Sequence, residues 1–298
     1  MSEVSSYTVA ATPMRPQVSE FRRIVKVMFS RWVVTSGFVI IVILILVAAL
    51  APVLAPYEPD AIDLRSTLQS PSMKHVLGTD ELGRDIMSRI IYGSRISLLI
   101  GIAAVTIGGV VGMGLGLVAG HFGGWTFTII MRIIDALMSL PPLVLVLAIS
   151  AVLGGGVLNV MIALSVGMLP TYCRLMCGQI LTIKENDYVT AASIIGANDT
   201  RIMLRHLLPN SLPPLMVLVT MNLGMAILLE ASLSFLGIGI TPPTATWGAM
   251  VSNGYKHLLT MPVYSIAPGG AILLVVLAFN MVGDGLRDAL DPRLRGTL

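Results

Sequence analysis

The sequence predicts an all-α polytopic membrane protein with six transmembrane helices and both ends inside, on three observations. Hydrophobic residues make up 55% of the chain and charged ones 12%, with a mean hydropathy of +0.86, whereas an ordinary soluble domain is about 25% charged. Six windows hold the roughly 20 apolar residues needed to cross a hydrocarbon layer about 30 Å thick. Thirteen of the 19 basic residues fall on the side that carries both ends. A soluble chain of 298 residues needs far more polar surface to cover its core. That excludes soluble, secreted, disordered and coiled-coil classes. The pI near 9.0 hints at nucleic acid, but four Lys, four His and no basic run argue against it. Excess arginine on one side of a membrane explains the same pI.

In chain order, residues 1–32 form a tail and residues 33–285 the membrane body. The first span is Val33–Leu54. It begins after more than thirty residues, exceeds the 7–15 residues of a signal-peptide core, and places Pro52 after Ala49-Leu50-Ala51, which reads as an uncleaved anchor. The second span is about Ile96–Gly120 and the third about Phe127–Leu153. Gly154-Gly155-Gly156 turns the chain into a fourth, about Val157–Met176. A polar loop, 179–210, separates it from the fifth, about Leu212–Leu229, with Pro213 and Pro214 in its first turn, where a missing N–H costs least. The sixth is about Ile266–Val282, and residues 286–298 form the second tail.

Arginine distribution sets the sides. The inner side takes Arg15, Arg22, Arg23, Lys26, Arg31, Arg132, Arg174, Lys184, Arg201, Arg205, Arg287, Arg293 and Arg295; the outer side has six basic residues, with six acids in its first loop.

Within the spans, Gly108, Gly112, Gly116 and Gly120 recur every four residues. That spacing puts them on one helix face and admits a second helix at backbone distance. The Gly112-Met-Gly-Leu-Gly run has no preceding strand, so a dinucleotide loop is discounted. Cys173 and Cys177 read as small buried hydrophobes rather than half a metal site. Intramembrane charges are functional candidates. Here Arg132 and Asp135, spaced to neutralise each other, and Glu230 and Asp284 all lie near span ends within reach of water. A secondary transporter would place polar groups or broken helices at mid-membrane. Energy is therefore expected from elsewhere. The four lysines are followed by Val27, His75, Glu185 and His257, so no nucleotide-binding Gly-Lys-Ser/Thr is present, nor any His-Glu-x-x-His or Gly-x-Ser-x-Gly.

The loop between spans four and five mixes charge with apolar residues at helical spacing: Ala191, Ala192, Ile195, Ile202, Leu204, Leu208. Gly196 divides it into two short helices, neither stable alone in water. Asn198 or Asp199 caps the second, and Pro209 follows its end. Such a hairpin fits another protein's groove; the alternative is a solvated loop lying on its own helices.

Thr190-Ala191-Ala192, Gly196 and His206-Leu207-Leu208-Pro209 together resemble the EAA loop of binding-protein-dependent ABC importer permeases, with Thr190 in place of the usual Glu and His206 in place of the usual Ile. His75 through Asp85 to Arg95, Glu230–Gly237 with Pro242-Pro243 and Trp247-Gly248, and Phe279 through Asp288 to Arg293 resemble the peptide/nickel subfamily. The resemblance runs from about Phe29 to Arg293 and is to the second permease subunit of dipeptide/oligopeptide importers.

It implies the type I ABC importer transmembrane fold, in a bacterial or archaeal cytoplasmic membrane, moving short peptides. Nickel chelates, glutathione or sugars are the alternative cargo, and a stand-alone secondary carrier is the remote one. It further implies a homologous second permease, two cytoplasmic ATPases and an extracytoplasmic binding protein as partners. No nucleic acid is expected, and ATP and Mg would sit on the ATPases. This chain would bind no cofactor or metal and catalyse nothing itself. Thr190, Ala191, Ala192, Gly196, His206, Leu208 and Pro209 would couple to the ATPase. Trp247 is expected to anchor at the membrane interface, with a docking contact as the alternative.

Overall fold

A computed structural model of the chain describes residues 25, 27–240 and 242–290. Arg15, Arg22, Arg23, Lys26, Arg293 and Arg295 lie outside the described residues. The helices, in order, are α1 (Trp32–Ala49), α2 (Ala51–Leu54), α3 (Ile86–Phe122), α4 (Gly124–Met138), α5 (Pro142–Leu153), α6 (Val157–Lys184), α7 (Asp187–Ile194), α8 (Asp199–Ile202), a π-helical turn (Met203–Leu207), α9 (Leu208–Phe235), α10 (Trp247–Tyr255) and α11 (Val263–Leu290). Among the described residues, five are long and apolar enough to cross a membrane, and the bent pair α4–α5 makes a sixth crossing.

The bend corrects the third expected span. Residues 127–153 are not one helix: α4 and α5 meet at 92°. Pro141 and Pro142 explain it. Neither offers an N–H, and a residue preceding proline is driven to extended backbone, as Pro141 is, at ψ 139°. The pair still crosses once. Its start follows α3, whose last turn touches the end of α6 (Lys184 Nζ donates to the His121 carbonyl, 2.8 Å). Its end precedes Gly156, whose amide donates to Gly239 beyond α9 at the opposite face, 3.3 Å.

The first expected span, Val33–Leu54, is divided at Leu50 into α1 and α2, whereas the second, fourth, fifth and sixth extend beyond their apolar windows. α3 begins at Ile86 rather than Ile96 because Asp85 caps it, accepting from the Ser88 amide at 2.8 Å. α6 runs on to Lys184, so Gln179–Lys184 belongs to the span and not to the loop. α9 starts at Leu208, which puts Pro213 and Pro214 inside the helix rather than in its first turn. Pro209 opens this helix instead of closing the one before it.

The core is the α3–α6 pair. Gly108, Gly112 and Gly116 face α6 so closely that a Cβ at each would lie 2.6, 2.6 and 2.4 Å from the carbonyl oxygens of Ser165, Leu169 and Cys173, and one at Gly120 would lie 2.8 Å from Ile180. Cys173 and Cys177 are buried free thiols against this glycine face. Around the pair pack α9, α11 and α1, with Gly285 of α11 close against Val34 of α1. An ion pair joins Arg31, before α1, to Asp288 near the end of α11. Arg287 and Leu290 line one cleft with Gln179 and Asn210. The described ends of the chain and the α7–α8 hairpin therefore share one face.

The opposite face is held by a buried charge cluster. Asp80 accepts from the Arg84 side chain at 2.7 Å, and Arg89 donates to Asp60 at 2.9 Å. His75 Nδ1 meets Asp85 at 3.0 Å. Such pairs add little net stability but fix one arrangement, and removing one partner strands a buried charge. In the same loop the Ser66 hydroxyl, then the Arg65 amide, hold the Asp63 carboxyl below its ordinary range.

Candidate coupling site

The hairpin is built from sequence signals that act locally. α6 ends at Lys184, and Asn186 turns the chain through a side-chain bond to the Ile183 carbonyl, 2.8 Å. α7 follows. At Gly196 the backbone takes φ +85°, where a side chain is rarely tolerated. Asn198 then caps α8, accepting from the Arg201 amide at 2.9 Å. The second arm does not end at Pro209. α8, the π turn and α9 form one continuous stretch, Asp199–Phe235, so this arm is the projecting end of a membrane-crossing helix.

The apolar stripe divides between two surroundings. Ala192 and Ile202 are buried against the body, with Val189 and Leu207. Ile194 and Ile195, at the tip, are 80% and 84% exposed, and Leu204 of the π-helical turn is exposed as well. Thr190 and Ala191 are exposed too, Leu208 is half-buried and Pro209 exposed. His206 packs its ring near Tyr188, centroids 6.2 Å apart, and its carbonyl accepts from Asn210. Asn210 also reaches the Tyr188 hydroxyl at 3.2 Å. The two arms are closed at their base by this trio.

A second tie fastens the hairpin to the core. His121, in the last turn of α3, places Nε2 2.9 Å from Asp199 Oδ1, with its imidazole buried and Asp199 exposed. The Lys184 ammonium covers the free carbonyl of His121, a favourable charge at a helix C-terminus. These residues, with Thr190 and Ser193, line a cavity of about 410 Å³. Sequence reasoning missed this tie. Asp199 stood out only as a cap, and nothing in a linear pattern joins it to a histidine 78 positions earlier.

Three other residues sit differently from their sequence-based placement. Asp135 pairs with Arg174 of α6, not with Arg132. Glu230 does not reach water: it is fully buried, accepting from Ser234 at 2.9 Å and Ser97 at 3.3 Å. Trp247 is a buried pin, not an interfacial anchor. It is 1% exposed, with its indole N–H donating to the Ile90 carbonyl at 3.0 Å. Gly93 makes room for the ring.

Residues 112–296 match the family described as binding-protein-dependent transport system inner membrane component. The chain belongs to that family. Residues 19–71 match the N-terminal transmembrane domain of oligopeptide transport permease C. A probable D,D-dipeptide transport system permease protein of Escherichia coli (strain K12) is 42% identical over 293 residues, 98% of each chain. A glutathione transport system permease protein of Pectobacterium atrosepticum is 44% identical over 264 residues, 88% of each. In fold, the permease resembles a chain of the inward-facing MetNI methionine ABC transporter, with a TM-score of 0.56 at 19% identity, covering 69% of this chain and 98% of that one. It is thus a multi-pass inner-membrane permease with a type I ABC importer fold.

Proposed function

We propose that the chain forms one half of a translocation pore for short peptides, worked by ATPase subunits that grip the α7–α8 hairpin from the cytoplasm. The hairpin face is then the inner face, with both ends of the chain inside, in keeping with the arginine distribution. A homologous permease supplies the other half, and an extracytoplasmic binding protein delivers cargo to the outer loops. ATP binding and hydrolysis on the ATPases bias a two-state arrangement of the helices. The chain contributes no catalytic group of its own to that cycle.

The observation that carries this reading is the pair Ile194 and Ile195, bare at the tip of a hairpin whose own base is tied down by His121–Asp199. Two neighbouring apolar side chains held out from a folded base mark a docking contact. Peptide cargo is favoured by the D,D-dipeptide and glutathione relatives, whose named cargoes share an amine, a carboxylate and amide bonds.

The test replaces both tip residues, Ile194→Asp with Ile195→Asp, in the assembled transporter. Insertion is expected to persist while ATPase subunits no longer co-purify and uptake stops. Normal co-purification and uptake would sink the coupling role. Calorimetry of the partner binding protein against dipeptides, glutathione and nickel chelates decides the cargo.

A further inference from the structure

The exposed faces of the crossing helices differ in chemistry. α1 shows Val39, Val42, Ile43, Ile45 and Leu46, and α11 shows Leu273, Leu274 and Leu277, which suits lipid. On α4 and its C-terminal cap, Thr128, Arg132, Asp135 and Ser139 recur at helical spacing along one face, all exposed. On α6, Thr171, Arg174, Gly178 and Thr182 do the same, all exposed. The Asp135–Arg174 ion pair joins the two rows, its side chains 52% and 53% exposed.

Turned to lipid, this face would put Arg132, Asp135 and Arg174 against hydrocarbon, which disfavours every charged side chain. Lys184 ends α6 ten residues after Arg174, about 15 Å at 1.5 Å per residue. The charges therefore belong to the inner half of the protein. Packed dry against another subunit, the pair would lose water without a compensating partner. Water is the environment that suits it.

We infer that the α4–α6 face lines the aqueous path in the inner half of the pore, and that Asp135 and Arg174 exchange their mutual contact for the ammonium and carboxylate ends of a passing peptide. The inference rests on the peptide-permease reading above. An ion pair presents both signs at one place, as a zwitterionic peptide does. Swapping one set of ionic contacts for another leaves little net binding energy, and a path must hold its cargo weakly enough to release it. Arg132, one helical turn before Asp135, supplies a second cation toward the inner exit.

The test uses the assembled transporter in proteoliposomes, with Cys173→Ala and Cys177→Ala removing the native thiols. Thr171→Cys and Thr182→Cys are expected to react with a membrane-impermeant, charged methanethiosulfonate, Val42→Cys to stay silent, and millimolar dialanine to slow the reaction severalfold. Arg174→Gln is expected to cut dialanine flux about tenfold while ATPase activity persists. Silent thiols at both α6 positions, or their cross-linking to the second permease, overturn the path assignment. Reactive thiols that dialanine does not protect, in a transporter that carries dialanine, overturn the contact with peptide ends. A wild-type transporter that carries no dipeptide strikes the peptide reading instead, and the labelling pattern alone then decides where the path runs.

Discussion

His121 and Asp199 stand 78 positions apart in the chain and 2.9 Å apart in space, joining the inner end of α3 to the second arm of the hairpin. Through that contact, force on the hairpin reaches the central helix as well as the helix that the hairpin continues. Asp199→Asn and His121→Ala should therefore lower peptide flux severalfold with ATP hydrolysis largely retained. The ratio of the two rates in proteoliposomes measures this, and an unchanged ratio would remove the tie from the coupling route.

Gly196 holds φ +85° with nothing among the described residues within 4 Å of where a Cβ would be. Conformation, not space, restricts the position. Gly196→Val should strain the turn by about 1–2 kcal/mol and uncouple hydrolysis from uptake. Gly196→Asn should be milder, because asparagine tolerates left-handed backbone. Equal defects in the two variants would contradict this account.

Two glycines of α3, two positions apart, should respond in opposite ways. A Cβ at Gly116 would meet the Cys173 carbonyl at 2.4 Å, whereas one at Gly114 would meet nothing among the described residues within 4 Å. Gly116→Ala should cost about 1–3 kcal/mol through overpacking. Gly114→Ala should be neutral, or stabilising by up to about 1 kcal/mol through helix propensity. Thermal unfolding of the purified subunit in detergent separates the two.

Asp80 is fully buried and accepts from Arg84 and from two backbone amides. Asp80→Ala leaves the Arg84 guanidinium buried and without that carboxylate. A loss of about 3–5 kcal/mol is expected, the range for breaking a buried pair, and protease nicking between Glu58 and Asp85 should report it.

The Asp63 carboxyl, exposed and bonded by Ser66 and Arg65, is held below its ordinary 3.8. A carboxyl depressed on folding stabilises the loop above its unfolded pKa, and that contribution fades as pH falls through the lower folded value. The first outer loop should thus be unaffected by pH near neutrality and loosen only in acid below about 3.8. In Ser66→Ala the folded value should rise toward 3.8 and the acid-induced loosening should shrink, as followed by hydrogen exchange of residues 63–66.

How much was legible in the sequence depended on the range of each interaction. The spans were readable because apolar length is a local property, and Gly196 and the Asn198 cap because they act within one turn. Helix ends were not. Ile86–Arg95 and Gln179–Lys184 are polar enough to fall outside a hydropathy window, yet they stay helical because Asp85 caps one and the hairpin packs against the other. The α4–α5 bend had a visible signal in Pro141-Pro142, outweighed by the apolar residues around it. Trp247 was misplaced because its burial depends on Gly93, more than 150 positions away, and Asp135 because its partner lies on α6 rather than on its own helix.

The backbone-close seam between α3 and α6 also has a mechanical consequence. At 37 residues and 1.5 Å per residue, α3 is a rod about 55 Å long, and its neighbour braces it against flexing. A tilt of only 5° about one end sweeps the other through about 5 Å, by the geometry of a rod that long. A small shove at the cytoplasmic foot would therefore arrive at the far rim enlarged, much as an oar converts a short pull at the handle into a wide sweep of the blade.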